Sequence, residues 1–518
     1  MLDNAADGTQ VRPLLPPKGC AVLITSRHAL TLPGMTPLML NPLAATEARE
    51  LLIEIAPRSE PVADQVCYLC GYLPLAIRAA GSLLGLTIDL DPVDYAEQLK
   101  DERTRLERLG TEGVEIGFEA SFNLSYARLD SEAARVFRQL AVFPATFNAA
   151  AAEVVCADPG HIHLSSLVRH SLVLYDSSTK RYRLHDLARL FADSRLSEQA
   201  WDEAQRLHAT HYSSVLAAAD DLYLAGGERV ARGLALYDLE SANIQVGHAW
   251  AEDKSATDQH AAMLCVAYLD VGANVLDLRQ HVRERIRWSE AALASARKLK
   301  KRAHEAGALG NLGNAYFDLG DTNGAIDAYE QHLEIAREIG DRRGEATDLG
   351  NLGNTYLRLG ETTRAIELYD QQLVIVREIG YRLGEGMALN NLGLAYAALD
   401  ETRRAIGFFE QALVIDGEIG YHRGKAADLG NLGVAYAQLG EITQAIEFCE
   451  EQLRIVRDLG DRRGEGNGLF NLSLCLDLLS KRVQAIAYAE QALAIFEQIE
   501  DPTATKVRAQ LAEWRATQ

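Results

Sequence analysis

Five asparagines, Asn311, Asn351, Asn391, Asn431 and Asn471, stand 40 residues apart, and a side-chain amide carries a donor and an acceptor in one group. A row of such amides on one face can hydrogen-bond the backbone of an extended peptide whatever its side chains are. The other reading is internal, with each amide tying neighbouring helices together. Asn314 and Asn354 extend the row in two units, and Leu394, Val434 and Leu474 take their place in the next three, so the face turns from polar to apolar along the chain. The remaining reactive groups form weaker patterns. Cys67 and Cys70 make a C-x-x-C without a second pair or nearby histidine, and read as two packed thiols on a helix. His161 and His163 lack a third ligand for a metal. ATP chemistry needs G-x-x-x-x-G-K-[ST], whose backbone N–H groups cradle phosphates, and the sequence holds none; Gly424-Lys425 precedes an alanine. With no G-x-S-x-G and no H-E-x-x-H either, a non-enzyme is expected.

The elements that must position these groups follow from composition and periodicity. At 518 residues the chain exceeds the roughly 150 of one domain several-fold, and 48% hydrophobic with 24% charged residues is a globular balance. Its 52 basic and 73 acidic side chains give −21, the wrong sign for general attraction to nucleic acid or anionic lipid. No apolar run is long enough to span a membrane and Met1 to Gln10 is polar, so neither a span nor a secretory signal is expected. Seven cysteines without framework spacing suit reduced thiols in the cytoplasm.

The 40-residue unit is explicit: GNLGNAY from Gly310, GNLGNTY from Gly350, NNLGLAY from Asn390, GNLGVAY from Gly430 and FNLSLCL from Phe470. In each, a first helix such as Leu309 to Leu319 ends at a glycine that can adopt a left-handed cap. The acidic residue after it favours the next helix start, and an amphipathic run such as Asn323 to Ile339 follows. Leu309, Leu312, Gly313, Tyr316, Gly320, Ala325 and Tyr329 resemble the tetratricopeptide repeat, with Gly313 and Ala325 where two helices approach closely. Arg337, Arg377 and Arg457 stand where that motif usually has proline, so the second helix runs on. The longer form is similar to the repeats of kinesin light chains and spindle-organising G-protein regulators, which hold peptides and in which this asparagine often binds the peptide backbone. Ile286, Glu290, Leu293 and Arg297 mark a worn unit upstream, and Thr505 to Trp514 a capping helix. Residues 303 to 500 carry 17 basic and 32 acidic side chains, a net −15 that favours a basic or zwitterionic partner.

The N-terminal half carries other motifs. A short strand is expected over Ala21 to Ile24, closed by Thr25-Ser26-Arg27, then an extended segment over Leu38 to Asn41 and a helix from Thr46 to Leu52. Cys70-Gly71-Tyr72-Leu73-Pro74-Leu75-Ala76 follows, and further on Tyr182-Arg183-Leu184-His185-Asp186-Leu187. Over residues 1 to 195 this order resembles the NB-ARC switch of the signal-transduction ATPases with numerous domains. The resemblance implies that Asp3 closes the Walker B strand, Arg27 senses the γ-phosphate, Pro74 packs on the base and His185 reaches the β-phosphate of ADP. Leu184 replaces the family's methionine. Helices followed by a hairpin around Asp176-Ser177-Ser178 suggest the family's winged helix. DNA binding is not expected, because Arg169, Lys180, Arg181 and Arg183 are its few basic residues.

The expected architecture is mainly α: a remnant of an α/β nucleotide-binding domain over 1–44, a helical subdomain over 45–112 and a winged-helix subdomain over 113–195. A helical connector over 196–262, with a break at Gly226-Gly227, leads to a right-handed α-solenoid of tetratricopeptide repeats over 263–518. An N-terminal truncation that removes the P-loop is part of this expectation. The function implied is a non-catalytic regulator whose array binds a protein or peptide and whose incomplete switch holds ADP or ATP weakly or not at all. The alternative is a scaffold without nucleotide.

Overall fold

The computed structural model describes residues 8–12, 15, 22–24, 42–108, 115–499 and 501–516. Asp3, Arg27 and the segment expected to be extended over 38–41 lie outside the described residues; of the strand expected at 21–24, Ile24 takes part in a single β-bridge. The chain divides into two units, Met1–Ala204 and Gln205–Gln518.

The first unit opens with α1 (Gly8–Val11), followed by α2 (Ala45–Ile55), α3 (Ala63–Leu69), α4 (Pro74–Leu86) and α5 (Pro92–Arg108). Helix α4 is apolar on nearly all sides, burying Ala76, Ile77, Ala79, Ala80, Leu83 and Leu84, and so takes the centre of this layer between α2 and α6 (Glu115–Ala127). One cation collects carbonyls at and just beyond its C-terminus: the Arg58 guanidinium donates to Leu84 O at 2.9 Å, Ile88 O at 2.7 Å, Leu90 O at 2.7 Å and also to Thr87 O. Cys67 and Cys70 are buried free thiols, on α3 and at its C-cap, and burial pushes the Cys67 thiol up to about 11. Helices α7 (Ser131–Gln139), α8 (Ala149–Cys156) and α9 (Ile162–Arg169) lead into a hairpin, β1 (Leu174–Asp176) and β2 (Arg181–Arg183), with Tyr175 opposite Tyr182. Phe147 bridges to Tyr182 and lengthens this small sheet. Helix α10 (Asp186–Asp193) closes the layer, its Phe191 ring meeting those of Phe118, Phe122 and Phe137.

Helix α11 (Glu198–Leu224) carries the chain into the second unit, and α12 (Glu228–Lys254) follows a turn in which Gly226 and Gly227 both have positive φ. Then come α13 (Gln259–Val271), a bend of 73° and α14 (Ala273–Arg279), and α15 (Val282–Lys298). Five antiparallel hairpins follow: α16 (Arg302–Leu319) with α17 (Thr322–Ile339), α18 (Arg342–Arg358) with α19 (Thr362–Glu378), α20 (Arg382–Ala398) with α21 (Thr402–Glu418), α22 (His422–Gln438) with α23 (Ile442–Asp458), and α24 (Arg462–Leu478) with α25 (Arg482–Gln498). Each hairpin packs on the next, and α26 (Thr503–Ala516) covers the end with Val507, Leu511 and Trp514 buried. This is a solenoid built from the repeat, with one continuous core running through its middle units. Among the described residues no single helix is long and apolar enough to cross a membrane.

Two local rules build each hairpin. Gly313 packs against the Tyr329 ring so closely that a Cβ there would stand 2.5 Å from Cε1. The same contact recurs as Gly353 with Tyr369, Gly393 with Phe409 and Gly433 with Cys449, whereas the last unit has Ser473 and Ala489 at these positions. The turns end on left-handed residues, glycine at 320, 360 and 440, but Asp400 and Ser480 in the other two. The acidic residue after the turn acts by its length: Asp321, Asp341 and Asp461 accept from the N–H of Gly324, Gly344 and Gly464, while Glu361, Glu401 and Glu441 make no side-chain cap. One extra methylene carries the glutamate carboxylate past the first turn. The first helix also starts earlier than the sequence pattern suggests, at Arg302 instead of Leu309, directly after the turn at Lys300, because no proline interrupts it from there to Gly320.

A charge network joins successive hairpins. Arg337 of α17 holds Glu345 of α18 at 2.8 Å, Arg342 takes the second oxygen at 2.5 Å and reaches Glu378 of α19 at 2.6 Å. The pattern recurs as Arg297, Glu305, Arg302 and Glu338, as Arg377, Glu385, Arg382 and Glu418, and as Arg457, Glu465 and Arg462 with Gln498. Burial raises the carboxyl pKa of Glu345, but the hydrogen bonds from Arg337 and Arg342 outweigh it and hold Glu345 below the usual carboxylate range.

Candidate functional site

The asparagine row falls on the first helix of every hairpin, and all five side chains are half-buried. They do not share one role. Asn311, Asn351, Asn391 and Asn471 have no side-chain hydrogen bond among the described residues, so both halves of each amide remain available. Asn431 alone is tied inward: it donates to Asn390 Oδ1 at 3.4 Å, and Asn390 donates to Asp428 Oδ1 at 2.5 Å. Asn314 and Asn354 are held by the hairpin partner, accepting from the Tyr329 hydroxyl at 2.8 Å and the Tyr369 hydroxyl at 2.7 Å, which leaves their NH2 groups uncommitted. The expected gradient is present, with Leu394 40% and Val434 43% exposed at the positions that Asn314 and Asn354 occupy earlier.

At the N-terminal end of the array these amides converge. A cleft of about 390 Å³ is lined by Asn311, Asn314, Asn351 and Asn354 together with residues of α13 to α15. That volume lies within the range of roughly 300–1,000 Å³ in which proteins hold small ligands or short peptide segments. Arg285 stands in its wall between Asp318, at 2.8 Å, and Asp277, one cation shared by two carboxylates. Gln280 lines the same cleft with a buried amide whose nitrogen and oxygen both lack a partner. Such a surface presents hydrogen-bonding amides with little net charge, suited to peptide groups. Sequence periodicity cannot find Asp277, Gln280, Arg285 or Asp318, because none of them recurs in the later units.

In the first unit the structure places two of the four nucleotide-site candidates. Pro74 is the first residue of α4, exposed, where its missing N–H costs nothing. His185 is the N-cap of α10; its Nδ1 accepts from the Leu187 N–H at 3.3 Å. Partial desolvation lowers the imidazole pKa, against the pull of Asp186, and an accepting Nδ1 puts the proton of the neutral ring on Nε2. His161 and His163 pair with carboxylates, Glu153 at 3.6 Å and Asp130 at 3.9 Å.

Residues 304–371, 345–416 and 426–498 match the tetratricopeptide repeat family. The chain is 39% identical over 203 residues to the regulatory protein AfsR of Streptomyces coelicolor, covering 37% of this chain and 20% of AfsR. The AfsR of Streptomyces griseus is 38% identical over 204 residues, with the same coverage. The chain thus spans about a fifth of the length of these curated relatives. Among solved structures, the signal transduction ATPase with numerous domains PH0952 of Pyrococcus horikoshii, which has a tetratricopeptide repeat sensor, superposes at a TM-score of 0.38. Its sequence identity is 17%, over 93% of this chain and 78% of that one. The array over residues 304–498 is a tetratricopeptide-repeat array.

Proposed function

We propose that this chain is a non-catalytic regulatory protein whose repeat array binds an extended segment of a partner protein along the asparagine face, with the segment anchored in the cleft between α13–α15 and the first two hairpins. The observation that carries the reading is the set of four unpaired amides at the 40-residue spacing, two of them in that cleft. An amide held half-buried without a partner offers its hydrogen bonds to a peptide backbone at little ordering cost. The net charge of −15 over residues 303–500 favours a lysine- or arginine-containing segment. The test is retention of a mixed-sequence 15-residue peptide library by the full chain. Peptides enriched in Lys and Arg are retained, and Asn311→Ala with Asn351→Ala releases them. Retention unaffected by these substitutions refutes the reading.

The first unit fits a nucleotide switch in the winged-helix and helical-subdomain arrangement of NB-ARC proteins. Pro74 is left exposed at a helix start, and His185 keeps an Nε2–H donor that no acceptor among the described residues uses. Those are the groups that would meet a base and a phosphate, with Asp3 and Arg27 completing the set. ADP bound there would supply a closed state, and peptide capture would shift the balance only by its differential affinity for the two states. Calorimetric titration with ADP tests this: measurable binding, weakened by His185→Ala and by Pro74→Ala, supports the switch. No heat at millimolar ADP leaves the scaffold alternative.

A further inference from the structure

The near-identity of the hairpins makes one junction distinctive. The Arg–Glu–Arg network spans α15 to α16, α17 to α18, α19 to α20 and α23 to α24. Between α21 and α22 its members are replaced: Gly417 stands where the first arginine would be, His422 where the second would be and Lys425 where the glutamate would be. Lys425 turns away to Glu451 of α23, at 2.9 Å. Among the described residues no ion pair links α21 to α22; two side-chain hydrogen bonds do, Thr402 to Gln438 at 3.4 Å and the Tyr436 hydroxyl to Glu410 Oε1 at 3.2 Å.

The same junction holds two buried carboxylates. Asp416 occupies a core position that is Ala336, Val376, Val456 and Phe496 in the other units; it is 5% exposed and its Oδ1 has no partner. Gly386 of α20 and Gly424 of α22 make the room for it, since a Cβ on either would collide with its oxygens. Asp428 is fully buried with Oδ2 unpartnered. At the equivalent place two units earlier Asp348 meets His332 at 2.8 Å, but opposite Asp428 that position is Ala412, and only the neutral Asn390 amide reaches it. The ionisable groups around the pair are Arg382 and Glu385 on α20, Glu418 on α21, Tyr421 in the turn, His422, Arg423 and Lys425 on α22, and Glu451 on α23. Arg382 is taken by Glu385 and Glu418, Lys425 by Glu451, and His422 and Arg423 are exposed. Among the described residues neither aspartate has a cation. Desolvation pushes the Asp416 carboxyl up to about 6 and Asp428 up to about 7, the latter helped by the charge of Asp416 against the Asn390 hydrogen bond.

We propose that the α21/α22 interface is a pH-gated joint in the array: with Asp416 and Asp428 protonated the hairpins on either side pack tightly, and loss of both protons opens the junction and changes the curvature of the asparagine face. The direction follows from linkage. The packed junction keeps protons that an opened one releases from about pH 4 upward, so its stability falls as pH rises toward about 7 and levels off above. The effect on peptide capture rests on the groove reading above; the joint does not.

The test is hydrogen–deuterium exchange of the full chain without peptide, at pH 5.5 and 8, corrected for intrinsic exchange. Amides of α21 and α22 are expected to lose protection by at least roughly tenfold relative to those of α18 and α19 at the higher pH. Asp416→Asn with Asp428→Asn, near-isosteric and neutral, should abolish the contrast, while Asp348→Asn at the partnered site should leave it. Equal protection at the two pH values, or a loss spread evenly over the array, overturns the joint. Because no peptide is present, failure of the groove cannot be mistaken for failure of the joint.

Discussion

Replacing Gly313 by serine and Tyr329 by alanine would give the first hairpin the pair that the last one already has, Ser473 with Ala489. Gly313→Ser alone adds a Cβ 2.5 Å from Tyr329 Cε1 and 2.6 Å from Cδ1. The ring is 2% exposed and its hydroxyl is fixed to Asn314, so it cannot move aside cheaply. Overpacking of this kind costs about 1–3 kcal/mol, only partly offset by the helix preference of serine over glycine, a few tenths of a kcal/mol. Tyr329→Ala alone leaves a cavity in the core and removes the Asn314 contact, at a cost of about 3–5 kcal/mol. In the double variant the clash disappears and the added atoms fill part of the cavity. The two costs should therefore fall short of their sum by more than about 1 kcal/mol. Urea titration by far-UV circular dichroism measures the cycle, with exchange of α16 and α17 amides as the local readout, since a long array need not unfold in one step. Additivity within about 0.5 kcal/mol would refute the claim that these two side chains set the hairpin spacing.

Arg382→Ala removes one of the two arginine partners of the 10%-exposed Glu385 side chain and its link to Glu418, and should destabilise the α19–α21 region, less so at 1 M salt; exchange of those amides at two salt concentrations checks it. Asn431→Ala should cost stability at α20 to α22 and little peptide affinity, because its amide is bound internally, whereas Asn351→Ala should do the reverse, lowering affinity by about 0.5–1.5 kcal/mol; peptide titration beside thermal melts separates the two.

Much of the array was legible because its grammar is periodic. Gly313 and Tyr329 announce a close helix contact, and the 40-residue spacing of the asparagines places them on one face. What each amide does was not legible, since it depends on neighbours that break the period: Asn390, itself held by Asp428, captures Asn431, while none of the described residues captures Asn351. The arginines at 337, 377 and 457 read in sequence as the absence of a proline; only the fold shows them reaching glutamates eight residues on. Asp and Glu after the turns read alike, yet only the shorter one caps. The wall of the cleft, Arg285 with Asp277 and Asp318, has no sequence signal because its parts come from three helices and occur once. In the first unit the sequence names Pro74 and His185 by motif alone, and the structure adds that Pro74 is exposed at the start of α4 and that His185 caps α10.

The most direct measurement takes the peptide best retained by the array and compares three forms by fluorescence anisotropy: the parent, a scramble of the same composition, and a version N-methylated at alternate residues. Recognition through asparagine amides predicts that the scramble binds within a few-fold of the parent and that N-methylation lowers affinity more than tenfold, about 1.4 kcal/mol. Retained binding after N-methylation, with loss on scrambling, would contradict it.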